Sequence, residues 1–102
     1  MIDDRLTFVV LLYLHDGRHD DFEDFEARAF AIMARHGGRL EQRVRCAPPD
    51  ASVPDEVHIV SFPDQASFDR YRADDAVKDL ADLRARVIRH TVLWPGRALP
   101  PF

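Results

Sequence analysis

The stretch Leu6–Leu14 reads Leu-Thr-Phe-Val-Val-Leu-Leu-Tyr-Leu and is apolar on both of its alternating faces. Phe8, Val10 and Leu12 fall on one side, and Val9, Leu11 and Tyr13 on the other. A strand of that kind belongs in the middle of a sheet, with cover on both faces. At nine residues it is too short to cross a bilayer as a helix. Everything that follows in the chain has to supply the cover.

The next segment supplies half of it. After the turn residues His15-Asp16-Gly17-Arg18, the residues Phe22, Phe25, Ala29, Ile32 and Met33 recur at helical spacing. Asp20 with Glu23 reads as a capping box, and Glu23, Asp24, Glu26, Arg28 and Arg35 read as the solvent side. His36-Gly37-Gly38 stops the helix. Residues 39–46 then alternate as a strand. Leu40, Gln42, Val44 and Cys46 share one face, and Arg39, Glu41, Arg43 and Arg45 the other. A loop with three prolines leads to a strand over Glu56–Phe62, with His58, Val60 and Phe62 on one side and Val57, Ile59 and Ser61 on the other. Asp64 caps a short helix carrying Phe68 and Tyr71. Asp74 or Asp75 restarts a helical segment with Val77, Leu80 and Leu83 inward, and residues 87–94 form a last β-branched strand.

The order is βαββαβ within 102 residues, which predicts one α+β domain over residues 1–102. The expected architecture is a ferredoxin-like sandwich: a four-stranded antiparallel sheet with two helices on one face. Two helices cover only one side of the sheet. The other apolar face would be a large patch in water, so a homodimer packed sheet on sheet is expected. Polar side chains caught between the two sheets would line a pocket for a small apolar or aromatic ligand.

The net charge of −4 argues against a nucleic-acid partner. No membrane segment is expected. Asp3 and Asp4 stand where a basic signal region would be, and one cysteine excludes an internal disulfide, so a cytoplasmic location is expected.

His36-Gly37-Gly38-Arg39, Ser61-Phe62-Pro63 and the run Phe68-Asp69-Arg70-Tyr71-Arg72-Ala73-Asp74 together resemble the domain-of-unknown-function 1330 family, within the dimeric α/β-barrel superfamily. The resemblance spans about residues 8–96, bounded by the outer strands. It implies a ferredoxin-like subunit, a face-to-face dimer and no assigned reaction. Arg43 matches an arginine often found five positions after the second glycine. Ser61 and Pro95 stand where the family commonly has glutamates, so an acid–base role at those two positions is not expected. Superfamily relatives include cofactor-independent monooxygenases, lactone isomerases and haem-degrading enzymes, and the fold does not choose among them.

Of the five histidines, His58 and His90 lie in strands and are the catalytic candidates for proton transfer. Arg43 is the candidate for steadying an oxyanion through its guanidinium fork. Tyr13 and Trp94 are the candidates for an aromatic pocket wall. Each also has a structural reading: a satisfied buried histidine, a solvated edge-strand arginine, and aromatic packing. His36 is expected to favour the helix end electrostatically, and Cys46 to be an inert buried thiol. His15 and His19 are four apart but in a turn and lack a third ligand, so no metal site is expected. No phosphate loop or nucleophile elbow is present, and no cofactor is expected. Two classes of function stay open: an enzyme without a cofactor, monooxygenase-like or isomerase-like, and a non-catalytic ligand-binding or structural homodimeric module.

Overall fold

The computed structural model describes residues 4–102. The strand read from the apolar run is β1 (Leu6–Leu14), followed by α1 (His19–Arg35), β2 (Arg39–Arg45) and β3 (Glu56–Phe62). Three short helices come next: α2 (Gln65–Ala73), α3 (Asp75–Lys78) and α4 (Ala81–Val87). The chain closes with β4 (Ile88–Gly96). The sheet order is β2-β3-β1-β4, and all three ladders are antiparallel. The doubly apolar strand is therefore interior, as its pattern requires.

Register sorts the side chains into two faces. Phe8, Val10 and Leu12 of β1 stand opposite Val60, His58 and Glu56 of β3, and all six point to the helical layer. Phe8, Val60 and Phe62 pack with Met33 and Phe68, while Leu12 and Leu14 pack with Phe22, Phe25, Ala29, Val87 and Ile88. Phe22 and Val87 are fully buried. Burying a side chain such as Phe22 is worth about 2–3 kcal/mol.

The opposite face carries Val9, Leu11 and Tyr13, flanked by Ile59 and Val57 on one side and by Trp94, Val92 and His90 on the other. No helix or strand among the described residues covers it. Trp94 keeps 56% of its surface exposed and Val44 46%.

Four local details differ from the sequence reading. The N-cap position of α1 is held by Arg18, not Asp20, and no side chain caps the helix. Asp20 and Asp21 sit in the first turn, where their charge still favours the helix. Glu23 is engaged elsewhere, by Arg43. His36 does meet the end of α1, but its Nε2 is 2.9 Å from Asp74 Oδ2, tying α1 to the α2–α3 junction. Cys46 is half-buried rather than buried.

The fourth difference shapes the site. The β2–β3 register shifts between Leu40 and Gln42. Leu40 pairs with Val60, yet Arg43 pairs with His58 and Arg45 with Glu56. The extra residue is Glu41. A bulge of this kind turns the remainder of a strand over. Leu40, Arg43 and Arg45 thus share the helix-facing side, while Gln42 and Val44 face away. Strict alternation had put Leu40 with Val44. Elsewhere the caps hold as read: Asp64 accepts from the Ser67 amide at 2.8 Å, and Asp74 from the Ala76 amide at 2.9 Å. No helix among the described residues is long and apolar enough to cross a membrane.

Candidate functional site

Three elements converge on one polar spot in the helix–sheet interface. β3 contributes Glu56 and His58, two residues apart and therefore on one face. β2 contributes Arg43 and Arg45, brought to the same side by the bulge. α1 contributes Glu23 and Glu26 from the flank of its apolar stripe.

Glu56 is completely buried, and a buried carboxylate needs partners. Arg43 donates to it from Nε at 2.8 Å and from Nη2 at 3.0 Å. Arg43 also donates to Glu23, from Nη1 at 3.1 Å and from Nη2. Four of its five N–H donors are thereby engaged. Burial pushes the Glu56 carboxyl upward, and the hydrogen bonds from Arg43 and His58 outweigh it, holding the group below the usual carboxylate range. The hydrogen bond from Arg43 likewise holds Glu23 down.

His58 is 2% exposed. Its Nε2 lies 3.0 Å from Glu56 Oε1. An ionised Glu56 only accepts, so Nε2 carries the proton and donates. Burial depresses the imidazole, and the Glu56 hydrogen bond opposes that only in part, so the ring is held below its usual range. A neutral ring protonated on Nε2 has its lone pair on Nδ1. Nδ1 is 3.8 Å from Glu26 Oε2. Burial, with the nearby Glu56 charge, pushes Glu26 up to about 7. The spot therefore holds a fixed carboxylate, a neutral imidazole whose Nδ1 is in no hydrogen bond among the described residues, and a carboxyl that titrates near neutrality.

Two cavities open beside it. The larger, of about 470 Å³, runs between the sheet and the helices. Its walls are mostly apolar, including Phe8, Val10, Phe30, Phe62, Phe68 and Leu93, and Glu26, His58, Tyr71, Arg72, Arg84 and Thr91 are the polar interruptions. Its volume is in the range of ligand sites. Burial and the Glu26 charge push the Tyr71 phenol up to about 12, so it stays protonated. The smaller cavity, of about 270 Å³, lies between α1 and β2 and includes Arg43. His58, Glu26 and Phe30 line both.

The residues singled out in the sequence divide between the two faces. His58 and Arg43 come together on the helix side. His90 is exposed on the open face, its ring centroid 5.2 Å from that of Tyr13, and Trp94 lies on the same face. The sheet separates that group from His58. The cavity of this subunit lies on the helix side, with His58 on its wall, whereas the pocket expected between two sheets belongs to the open face that carries Tyr13, His90 and Trp94. Sequence reasoning missed Glu56, Glu26 and Glu23. Glu56 was readable, since it is in phase with His58, Val60 and Phe62. Glu26 was assigned to the solvent side, although it adjoins Phe25 and precedes Phe30 by one turn.

The same architecture occurs in solved structures. A dimeric protein of unknown function from Bacteroides fragilis, described as ferredoxin-like, superposes with a TM-score of 0.71 at 12% identity, over 96% of this chain and 100% of that one. This chain has the ferredoxin-like fold. A protein of unknown function from Rhodopseudomonas palustris reaches 0.79 at 15% identity, over 97% and 85% of the two chains. SnoaB, a cofactor-independent oxygenase from Streptomyces nogalater, reaches 0.69 at 24% identity, over 97% and 99%. Proteins described as belonging to the NIPSNAP and dimeric α/β-barrel (DABB) families are also similar in fold. No family model matches the chain, and no curated protein matches it in sequence. Likeness at these identities establishes the ferredoxin-like fold, and function rests on the site.

Proposed function

We propose that the helix–sheet cleft binds a flat, largely apolar small molecule bearing an acidic C–H or O–H, and that His58 removes that proton. The observation that carries this reading is a buried His58 on the wall of an apolar cleft, its Nε2 bound to Glu56 and its Nδ1 in no hydrogen bond among the described residues, with Glu26 3.8 Å away. Nδ1 takes the proton, and the electron pair of the broken bond stays on the ligand as an enolate or phenolate. The imidazolium that forms is held by Glu56, which Arg43 keeps ionised. Arg43 is then a positioning residue, since its donors are already engaged. His90 takes no part, being on the far side of the sheet.

Deprotonation of this kind begins both an isomerisation and a cofactor-free oxygenation. The fold likeness to a cofactor-independent oxygenase supports an enzyme reading without choosing between them. We also propose a homodimer through the open sheet face and a cytoplasmic location. Tyr13 and Trp94 then serve the dimer contact rather than the pocket.

A bicyclic ketone, 2-tetralone, tests the reading. Its α-protons exchange in D2O, and NMR follows the exchange. Wild-type protein is expected to accelerate the exchange and His58→Gln to abolish the acceleration. Val10→Phe, which fills the cleft floor, is expected to abolish binding, and His90→Ala to change nothing. A second reading, a binding module without chemistry, draws on the mostly apolar lining of the same cleft. Binding of 2-tetralone with no accelerated exchange would select it.

A further inference from the structure

The cleft also carries a charge signature that its apolar walls do not need. The chain as a whole has a net charge of −4. The charged residues on the cleft wall, however, are two arginines, Arg72 and Arg84, and one acid, Glu26. The acid titrates near neutrality, so the local balance is positive.

The two arginines differ from Arg43. Arg43 is saturated by two glutamates and has no fork left to offer a ligand. Arg84 donates from Nη2 to the Thr91 hydroxyl at 2.8 Å, an interaction that orients the guanidinium without neutralising it. Arg72 lies over the Phe68 ring, 5.3 Å from its centroid. Neither makes an ion pair among the described residues with a carboxylate. Arg84 is exposed, on α4, whereas the apolar walls run inward to Phe8 and Val10. A site with an apolar interior and an oriented, un-neutralised guanidinium at its rim fits an amphipathic ligand. The ring system would enter, and an anionic oxygen would remain at the mouth.

We propose that the natural ligand is an aromatic or conjugated acid whose carboxylate pairs with Arg84, with Arg72 adding to the positive field. This inference rests on the cleft reading above and extends it by naming the ligand class and a binding residue.

The test compares two probes of equal size, 2-naphthoate and 2-naphthamide, by isothermal titration. A charge-assisted hydrogen bond is worth enough to make naphthoate bind about tenfold tighter to the wild type. Arg84→Gln is expected to erase that preference and leave naphthamide binding unchanged. Arg84→Lys is expected to keep part of it. Arg86→Gln, on the same helix but off the cleft wall, is expected to keep all of it. Raising the salt is expected to weaken naphthoate and not naphthamide, a readout that needs no variant. Equal binding of the two probes by the wild type, or a preference that survives Arg84→Gln, overturns the role of Arg84 while leaving the cleft standing. Binding of neither probe overturns both.

Discussion

His58 donates from Nε2 to Glu56 Oε1 over 3.0 Å, within one strand and at a depth where neither side chain is more than 2% exposed. The pair is the centre of a chain of contacts running Arg43, Glu56, His58, Glu26. Each link sets the state of the next. Arg43 keeps Glu56 ionised, Glu56 fixes the proton on Nε2, and Nδ1 is left basic beside the cleft. An orienting carboxylate behind an imidazole is a recurring device for holding one tautomer.

Removing the carboxylate should therefore cost stability as well as order. In Glu56→Gln, Arg43 loses its buried partner and His58 loses its acceptor for a charge-assisted bond. A loss of about 3 kcal/mol is expected, in the range for breaking a buried ion pair on one side. Urea denaturation at neutral pH measures it. A loss below about 1 kcal/mol, the value of an ordinary surface pair, would contradict the account.

Glu26 gives a prediction in pH. Its folded pKa of about 7 lies above the 4.5 of a free glutamate. The folded state thus binds the proton more tightly, and its stabilising share is complete below pH 4.5 and is lost as pH rises to about 7. The groups acting on it are Glu23 from α1, Glu56 from β3, Arg43 from β2 and Arg84 from α4, with His58 and Tyr71 beside it. Glu26→Gln stays neutral throughout. It is expected to match the wild type at pH 4 and to be more stable by about 3 kcal/mol at pH 8. Denaturation midpoints across the pH range check this; parallel curves for the two proteins would refute it.

Two glycines with positive φ should respond unequally to alanine. Gly17 has φ +72° and open space around the position of a Cβ. Gly37 has φ +75°, and a Cβ there would lie 2.7 Å from Pro63 Cγ. Gly17→Ala is expected to cost about 1 kcal/mol, the left-handed penalty alone. Gly37→Ala is expected to cost at least about 1 kcal/mol more, since a prolyl ring must also move. Equal losses in thermal melts would show that the contact with Pro63 is soft.

The uncovered sheet face predicts association. Val9, Leu11, Val57, Ile59, Val92 and Trp94 make one apolar surface across three strands. Light scattering is expected to give twice the 11.7 kDa chain mass. Ile59→Arg, a charge at the centre of the face, is expected to halve it without unfolding the subunit, because Ile59 lies outside the helix-side core. A monomeric wild type would remove the dimer.

The fold was legible in the sequence for a physical reason. β1 is apolar with period two on both faces, α1 keeps a 3.6-residue stripe, and Gly37-Gly38, Asp64 and Asp74 punctuate the chain at the observed ends. The site was legible only in part. His58 and Arg43 stood out by residue type, but the strict period assigned to β2 could not register the extra residue at Glu41 that joins Leu40 to the arginine face. Glu26 passed as an ordinary solvent-side charge, because a sequence shows that a carboxylate is present and not what encloses it, while the phase of Glu56 with His58 was readable but not the arginines that hold it. Which sheet face holds the cavity depends on how closely the helices seat, and periodicity carries no signal for that.

The central claim is that His58 is a neutral base facing an open ligand cleft. The most direct measurement is the imidazole nitrogen NMR spectrum of the protein at pH 7, recorded before and after adding 2-naphthol. The account predicts that His58 is neutral and protonated on Nε2, and that its Nδ1 resonance shifts on addition while that of His90 does not. A charged His58, or a shift at His90 with none at His58, would contradict it.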